Sequence, residues 1–456
     1  MPNFYTQKKQ IKKIRKQQSV TIEKLDLTCQ GVAYIDSKVV FVPGVLPKEQ
    51  VNIQVVNEHK NYATAKLLDI EVQSEQRITP ACEHFEQCGG CQTQYMSDEV
   101  QLAYKESALK SRIGDDSSAL TWYDPITSPS WHYRRRGRIA VKVEKNKKLR
   151  VGFREKASND IVKVKQCNVF AKPFSNIFEP LALLIDGLEA REKIGHVEVI
   201  ASDGQNTLLF RCLKQLVQQD IDALAEFGKA HNMVILLELD KQQVVPLDST
   251  AYAPIHYTLN DVEIGFSPGN FIQVNQHVNE KMVARAIEWL DLGPNDAVLD
   301  LFCGIGNFSF EIAKRAKLVV GVEGVKEMAE QAQANALGAK IDNATFYHCN
   351  LAQPLSEQQW FSGKLRKKVD KMLLDPARDG ALDICKQLSQ LQPQRIVYVS
   401  CEPASLERDS KVIIDQGYQL QKICAMDMFP HTKHVESMAL FVKVKSKPKR
   451  VKKRLG

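Results

Sequence analysis

A chain of 456 residues with 44% hydrophobic and 25% charged side chains has the composition of a globular protein and exceeds one domain, so two or three domains with buried cores are expected. No apolar run is long enough to span a bilayer and the basic N-terminus is not followed by an apolar leader, which excludes a membrane-spanning class and implies a cytoplasmic protein. The eleven cysteines are scattered apart from one cluster, a usage that points away from a disulfide framework and toward metal ligation.

The net charge of +8 is uneven: residues 1–20 carry six Lys/Arg and residues 443–456 eight, with no acid in either stretch, leaving −6 on the rest. Basic tails at 1–18 and 445–456 suit a polyanion, because each phosphate contact releases counterions; merely solvated ends are the alternative. Within 19–74, short apolar runs at 39–42, 51–56 and 63–68 are broken by Gly31, Pro43-Gly44 and Pro47, the pattern of a small β-barrel. Beside a basic tail such a barrel suits nucleic acid.

The region 75–268 opens with Cys82, Cys88 and Cys91 within ten residues, with Gly89-Gly90 between the last two. Thiolates so spaced converge on one metal centre, and Cys167, in the same region beside a predicted strand, is the candidate fourth ligand. All-thiolate ligation suits zinc or an iron–sulfur cluster alike. His84 is the alternative fourth ligand. Further on, Trp131-His-Tyr-Arg134-Arg-Arg136-Gly-Arg138 sets four arginines beside two aromatics, which suits phosphates and unpaired bases, or else an edge strand protected by charge. The remainder, 139–266, reads as mixed α and β.

Residues 269–444 alternate strands and helices: strands at 297–302, 318–323, 344–348, 369–374 and 395–400, helices near 307–316 and 325–337. That alternation builds a doubly wound, Rossmann-like parallel sheet. Two closing runs, 420–426 and 438–444, lie too close together for a helical crossover and predict an antiparallel hairpin on the sheet edge. The turn Gly304-Ile-Gly306 lacks the third glycine of a dinucleotide site, yet Asp300 precedes it and Glu323 ends the next strand, where an acid accepts ribose hydroxyls. An adenosine cofactor without phosphates, S-adenosylmethionine, fits better than a nicotinamide. Asp375 in Asp375-Pro-Ala-Arg378 and Cys401 in Ser400-Cys-Glu-Pro403 also follow apolar strands, so all share one ligand-binding edge. Cys303 and Cys349 read as packing residues.

Together, Asp300-Leu-Phe-Cys-Gly-Ile-Gly-Asn-Phe308, Asp375-Pro-Ala-Arg378, Ser400-Cys401 and Phe429-Pro-His-Thr-Lys-His-Val-Glu436-Ser-Met resemble the bacterial RNA 5-methyluridine methyltransferases, over nearly the whole chain. The resemblance implies three parts: an N-terminal OB-like TRAM barrel, a central mixed α/β domain carrying a metal cluster, and a C-terminal methyltransferase domain. Cys82, Cys88, Cys91 and Cys167 match the family's four [4Fe–4S] ligands, and with the barrel they make the chain similar to members that methylate uridine 1939 of 23S rRNA. Relatives that modify tRNA are expected to lack barrel and cluster. The implied cofactor residues are Gln273, Phe302, Asn307, Glu323, Asn350 and Asp375. Cys401 is the implied nucleophile, adding to uracil C6 to activate C5. Glu436 is the implied base, with His431 and His434 as local rivals. The barrel, the cluster domain and the arginine strand are expected to hold flanking 23S rRNA, with no part for membrane or DNA and with the protein a monomer.

One residue departs from the family pattern. Glu402 stands where asparagine is usual after the nucleophile, and a carboxylate there would raise the thiol's pKa. It is expected to point away or to be neutralised by an arginine. Two other readings stand beside the first: a different S-adenosylmethionine-dependent RNA methyltransferase, acting on a tRNA uridine or a base amino group, and a non-catalytic RNA-binding assembly factor.

Overall fold

The structure is a computed structural model that describes residues 17–114, 120–239, 244–248, 253–362 and 369–444. The basic ends at 1–16 and 445–456 lie outside the described residues. The chain forms two compact units, Met1–Pro80 with Gln92–Tyr104, and Ala81–Cys91 with Lys105–Gly456.

In the first unit, alternating apolar residues give a six-stranded half-barrel in the spatial order Gln17–Thr21, Gln50–Glu58, Tyr62–Val72, Lys38–Pro43, Gln30–Ile35, Lys24–Leu25. Val40, Val42, Val51, Ile53, Ala63 and Ala65 point inward and form its core. Three register shifts between Gln50–Glu58 and Tyr62–Val72 bend the sheet. Gly31 is obligatory, since a Cβ there would fall 2.2 Å from Val45 Cγ2. The carboxylate of fully buried Glu49 is paired with the Arg77 guanidinium and accepts from Leu46 N at 2.7 Å.

The second unit contains two larger sheets. The first has seven strands, Ile161–Lys163, Leu149–Arg154, Arg136–Val143, Ile194–Ala201, Asn206–Cys212, Met233–Glu238 and Val244–Pro246 in spatial order. The helices Phe178–Gly187 and Gln218–His231 contribute Leu181, Ile185 and Leu224 to its core, against Val197, Val199 and Phe210.

The other sheet carries the chemistry. Its spatial order is Ala344–His348, Leu318–Glu323, Ala297–Leu301, Lys371–Leu374, Arg395–Ser400, Glu436–Lys443, Tyr418–Met426, Thr121–Trp122. The first five strands are parallel and Glu436–Lys443 is antiparallel to its neighbours on both sides. The central strands read as unbroken apolar runs because both faces are covered: Leu299, Leu301, Val320 and Val322 pack on one side, Val298, Val319, Leu373 and Val397 on the other. The closing hairpin forms as expected but is not the sheet edge. Thr121–Trp122 pairs in parallel with Tyr418–Met426 and covers it.

Candidate active site

The order in which strands are added reverses between the parallel neighbours Ala297–Leu301 and Lys371–Leu374, and the crevice beyond their carboxyl ends is where such sheets bind ligands. After the first strand the backbone turns through Phe302, Gly304 and Gly306, at φ +63°, +58° and +100°. At Gly306 a side chain is impossible, because a Cβ would fall 2.3 Å from the Phe310 ring. Glu323 pins the turn from the neighbouring strand, its carboxylate accepting from Gly304 N at 3.0 Å and Val325 N at 2.9 Å.

Asp300, fully buried, accepts from Ser309 Oγ through Oδ2, while Oδ1 has no hydrogen-bond partner among the described residues. Burial is the main cause that pushes its carboxyl up to about 7, opposed by the Ser309 bond and helped by the charge of Glu323. Burial, then the charges of Asp300 and Glu323, push Asp375 up to about 8. Both carboxyls are thus held toward the protonated form, in which a carboxyl donates a hydrogen bond as well as accepting.

The other expected cofactor residues differ in surroundings. Asn307 Oδ1 accepts from Tyr257 Oη and from Asn279 Nδ2, both at 2.9 Å, and Asn307 Nδ2 donates to Asn279 Oδ1 at 2.8 Å. Gln273 is buried and its carbonyl accepts from Arg135 Nε at 2.9 Å. Phe302 N donates to Val322 O at 2.8 Å, and exposed Asn350 accepts from Ala352 N at 3.0 Å.

On the antiparallel side, Ser400 is paired with Ser437, and just beyond that pair the charge of Glu436 acts on Cys401. Burial is the largest cause that raises the Cys401 thiol to about 11; the charges of Glu436 and Asp375 add to it and Arg378 opposes. Burial likewise pushes Glu436 up to about 8, with Asp375 adding and Lys105 and Arg378 opposing. Cys401, Glu436, Asp375 and Arg378 thus form one electrostatic group. Glu402 stands outside it as the N-cap of Pro403–Asp415, its carboxylate accepting from Ala404 N at 3.3 Å. That is the first of the two expected outcomes, yet the thiol is raised all the same, by burial first and then by other carboxyls.

His431, buried at φ +65°, packs its ring 4.0 Å from that of Trp131. His434 lies 5.8 Å from the Phe429 ring, and burial, then Arg378, lowers its pKa.

The segment Asp427–Glu436 is braced by Lys105, whose Nζ, 2% exposed, donates to Asp427 Oδ1 at 2.7 Å and Phe429 O at 3.1 Å. Asp409 braces the loop that follows Asp375: its Oδ2 accepts from Tyr398 Oη and Ala381 N at 2.7 Å each, and Arg408, bonded to Asp409 Oδ1, also donates to Asp379 O. Neither brace carries a sequence signal, since both join distant segments.

The arginine segment, left open by the sequence between an RNA contact and a charged edge strand, leads into a strand inside the sheet rather than at its edge. Arg134 Nε donates to Arg136 O at 3.0 Å, Arg135 is buried, and Arg136 is paired with Glu198 and bonded to Asn270 O. Arg138, 67% exposed along its side chain, has its Nε 3.7 Å from Glu198 Oε2.

Three of the four cysteines expected to hold metal act on one another: the charge of Cys82 on Cys88, and those of Cys88 and Cys82 on Cys167. Gly90 N donates to Cys88 Sγ at 3.4 Å, and the backbone of Phe170 and Val169 bonds to Cys167. Lys156 supplies a positive charge beside Cys88 and Cys91. Amide donors and a cation around clustered thiols are what thiolate ligands require. Even so, among the described residues no group of three or more His, Cys, Asp or Glu side chains is arranged to hold a metal ion as it stands. His84 Nε2 accepts from Lys165 N at 3.0 Å.

Strand order 3-2-1-4-5-7-6 within the carboxyl-terminal region, with its one antiparallel strand, defines a Rossmann-like methyltransferase fold. The tRNA (Uracil-5-)-methyltransferase family profile matches residues 97–444 and the TRAM domain profile residues 12–68. The 23S rRNA (uracil(1939)-C(5))-methyltransferase RlmD of Shewanella halifaxensis (strain HAW-EB4) is 43% identical over 94% of this chain and 96% of its own. That of Shewanella piezotolerans (strain WP3 / JCM 13877) is 44% identical over the same shares. The chain belongs to the RNA uracil-5-methyltransferase family, in the TRAM-bearing group of these 23S rRNA enzymes.

The tRNA (uracil-54, C5)-methyltransferase of Pyrococcus abyssi, solved with S-adenosyl-L-homocysteine, shares the fold, at a TM-score of 0.72 and 22% identity over 93% of this chain and 100% of that one. Coverage that wide leaves too few residues unmatched to omit the barrel.

Proposed function

We propose that this enzyme transfers a methyl group from S-adenosylmethionine to C5 of uridine 1939 of 23S rRNA, giving 5-methyluridine. The observation that carries the reading is the Ser400–Ser437 register, just beyond which the charge of Glu436 acts on Cys401 at the ligand edge of the sheet. Uracil C5 is a weak nucleophile. Cys401 gives up its thiol proton to solvent, the resulting thiolate Sγ bonds to C6, the C5–C6 electron pair moves onto the ring as an enolate, and C5 gains the power to attack. Bound S-adenosylmethionine supplies an electrophilic methyl group. C5 then carries both hydrogen and methyl; Glu436, as carboxylate, takes that proton, the C5–C6 double bond re-forms and the Cys401 thiolate leaves. Arg378 offsets the negative charge that appears on Cys401 and Glu436. The target base has to leave its stack to reach this edge.

Gln273, Phe302, Asn307, Glu323, Asn350 and Asp375 are the residues we assign to the cofactor, across the carboxyl ends of the parallel strands. Cys82, Cys88, Cys91 and Cys167 would hold a [4Fe–4S] cluster, which when bound supplies four iron–sulfur links tying the 82–91 segment to the Cys167 loop. The matching domain division is a barrel at 19–74, a cluster-bearing region at 75–268 and a methyltransferase domain at 269–444. Replacing Cys401 by Ala tests the chemistry: methyl transfer to unmodified 23S rRNA should disappear while S-adenosylmethionine still binds. Full activity in Cys401→Ala would favour transfer to a base amino group, which needs no thiol.

A further inference from the structure

The arginine segment, stripped of most of its expected RNA contacts, has a different neighbour. Arg135 is 5% exposed. Its Nε donates to Gln273 O at 2.9 Å, its backbone N donates to Val274 O at 2.9 Å, and its Cζ stands 4.3 Å from the centre of the Tyr257 ring. Tyr257, 2% exposed, donates through Oη to Asn307 Oδ1 at 2.9 Å. One guanidinium therefore touches Gln273 directly and Asn307 through a single tyrosine, although those two residues come from separate segments of the chain.

Arg135 Nη1 and Nη2 are buried with no hydrogen-bond partner among the described residues, and an arginine in a protein keeps its charge. Idle N–H groups on a buried cation are costly. An arginine meant for RNA phosphate would lie at the surface, where water solvates it until the RNA arrives. This one is held inside by a flat ring and a carbonyl, the stacked and directional contacts that a lysine cannot reproduce.

We propose that Arg135 and Tyr257 are positioning residues for the cofactor: they fix the Gln273 backbone and the Asn307 amide in the pose that receives it, and take no part in gripping RNA. The proposal rests on the assignment of Gln273 and Asn307 to the cofactor site.

The test uses the full-length protein, with S-adenosylmethionine binding measured by calorimetry in the absence of RNA and 23S rRNA fragment binding measured over a range of salt. Tyr257→Phe keeps the ring and removes one hydrogen bond, so its melting temperature should hold while cofactor affinity falls about tenfold. Arg135→Met should lose at least as much, and Arg135→Lys should recover part of the loss. RNA affinity and its salt dependence should be unchanged in all three. A phosphate contact at Arg135 would do the reverse, weakening RNA binding, lowering the salt slope by about one and sparing the cofactor, and would overturn the proposal. If Arg135→Met fails to fold, Tyr257→Phe decides alone, and unchanged cofactor affinity there overturns it. Failure of the wild-type protein itself to bind S-adenosylmethionine would instead sink the proposed function, and the positioning role with it.

Discussion

Alkylation of Cys401 against pH probes the electrostatics of the candidate site without RNA or cofactor. Burial and two carboxylates raise this thiol to about 11, so at pH 8 about one molecule in a thousand carries the thiolate. Its neighbour Glu436 titrates at about 8. Ionising Cys401 at pH 8 while Glu436 stays free for its later role thus spans three pH units, about 4 kcal/mol, which substrate binding has to offset before the sulfur can attack C6. Reaction with iodoacetamide, followed by mass spectrometry of the Cys401 peptide, should rise toward a midpoint near pH 11 in the ligand-free enzyme. Glu436→Gln should lower that midpoint, since the Glu436 charge is the largest contribution after burial, and Asp375→Asn should lower it less. The two acids titrate as a coupled pair with the thiol, so the midpoints belong to the group rather than to one residue. A wild-type midpoint at or below 9, or a midpoint raised in Glu436→Gln, would refute this account of the site.

Other consequences can be checked separately. Glu436→Gln leaves Cys401 able to add to C6 but removes the acceptor for the C5 proton, so a covalent protein–RNA complex carrying the transferred methyl should accumulate and survive denaturing gel electrophoresis; free methylated RNA in wild-type yield would rule out Glu436 as base. Asp300, Asp375 and Glu436 have folded values of about 7, 8 and 8, all above their unfolded values. Their contribution to stability is complete below about pH 4 and is lost as pH rises through 7 to 8. Asp375→Asn should accordingly gain melting temperature relative to wild type as pH rises from 5 to 8.5, and a constant difference would contradict this. Lys105→Met strands Asp427 and should cost about 3–5 kcal/mol in urea unfolding, with Lys105→Met/Asp427→Leu recovering much of it; additive losses would argue against a coupled pair. Cys88→Ser or Cys167→Ser should lower bound iron and acid-labile sulfide together, and full iron in both would remove them from the ligand set.

The parallel sheet was legible because its strands are buried on both faces and read as short apolar runs such as Arg395–Ser400. Thr121–Trp122 was not, since two residues leave no periodicity to read. The nearness of Cys401 and Glu436 comes from a register between strands thirty-odd residues apart, which local pattern cannot fix. Nor could it reveal Lys105 and Asp427, an ion pair 322 residues apart in sequence. The arginine segment stayed open between two readings for a related reason: composition shows that a strand carries guanidiniums, whereas pairing decides which of them face solvent. Glu402 takes a role as N-cap that was not read from the sequence, although an acid before a proline at a helix start is a capping pattern.

The most direct test of the function is to incubate the purified protein with methyl-labelled S-adenosylmethionine and unmodified 23S rRNA, alongside tRNA, and to identify the labelled nucleoside and its position. The account predicts 5-methyluridine at position 1939 of the 23S rRNA and no label in tRNA. Label on a base amino group, or on a tRNA uridine in place of the ribosomal one, would contradict it.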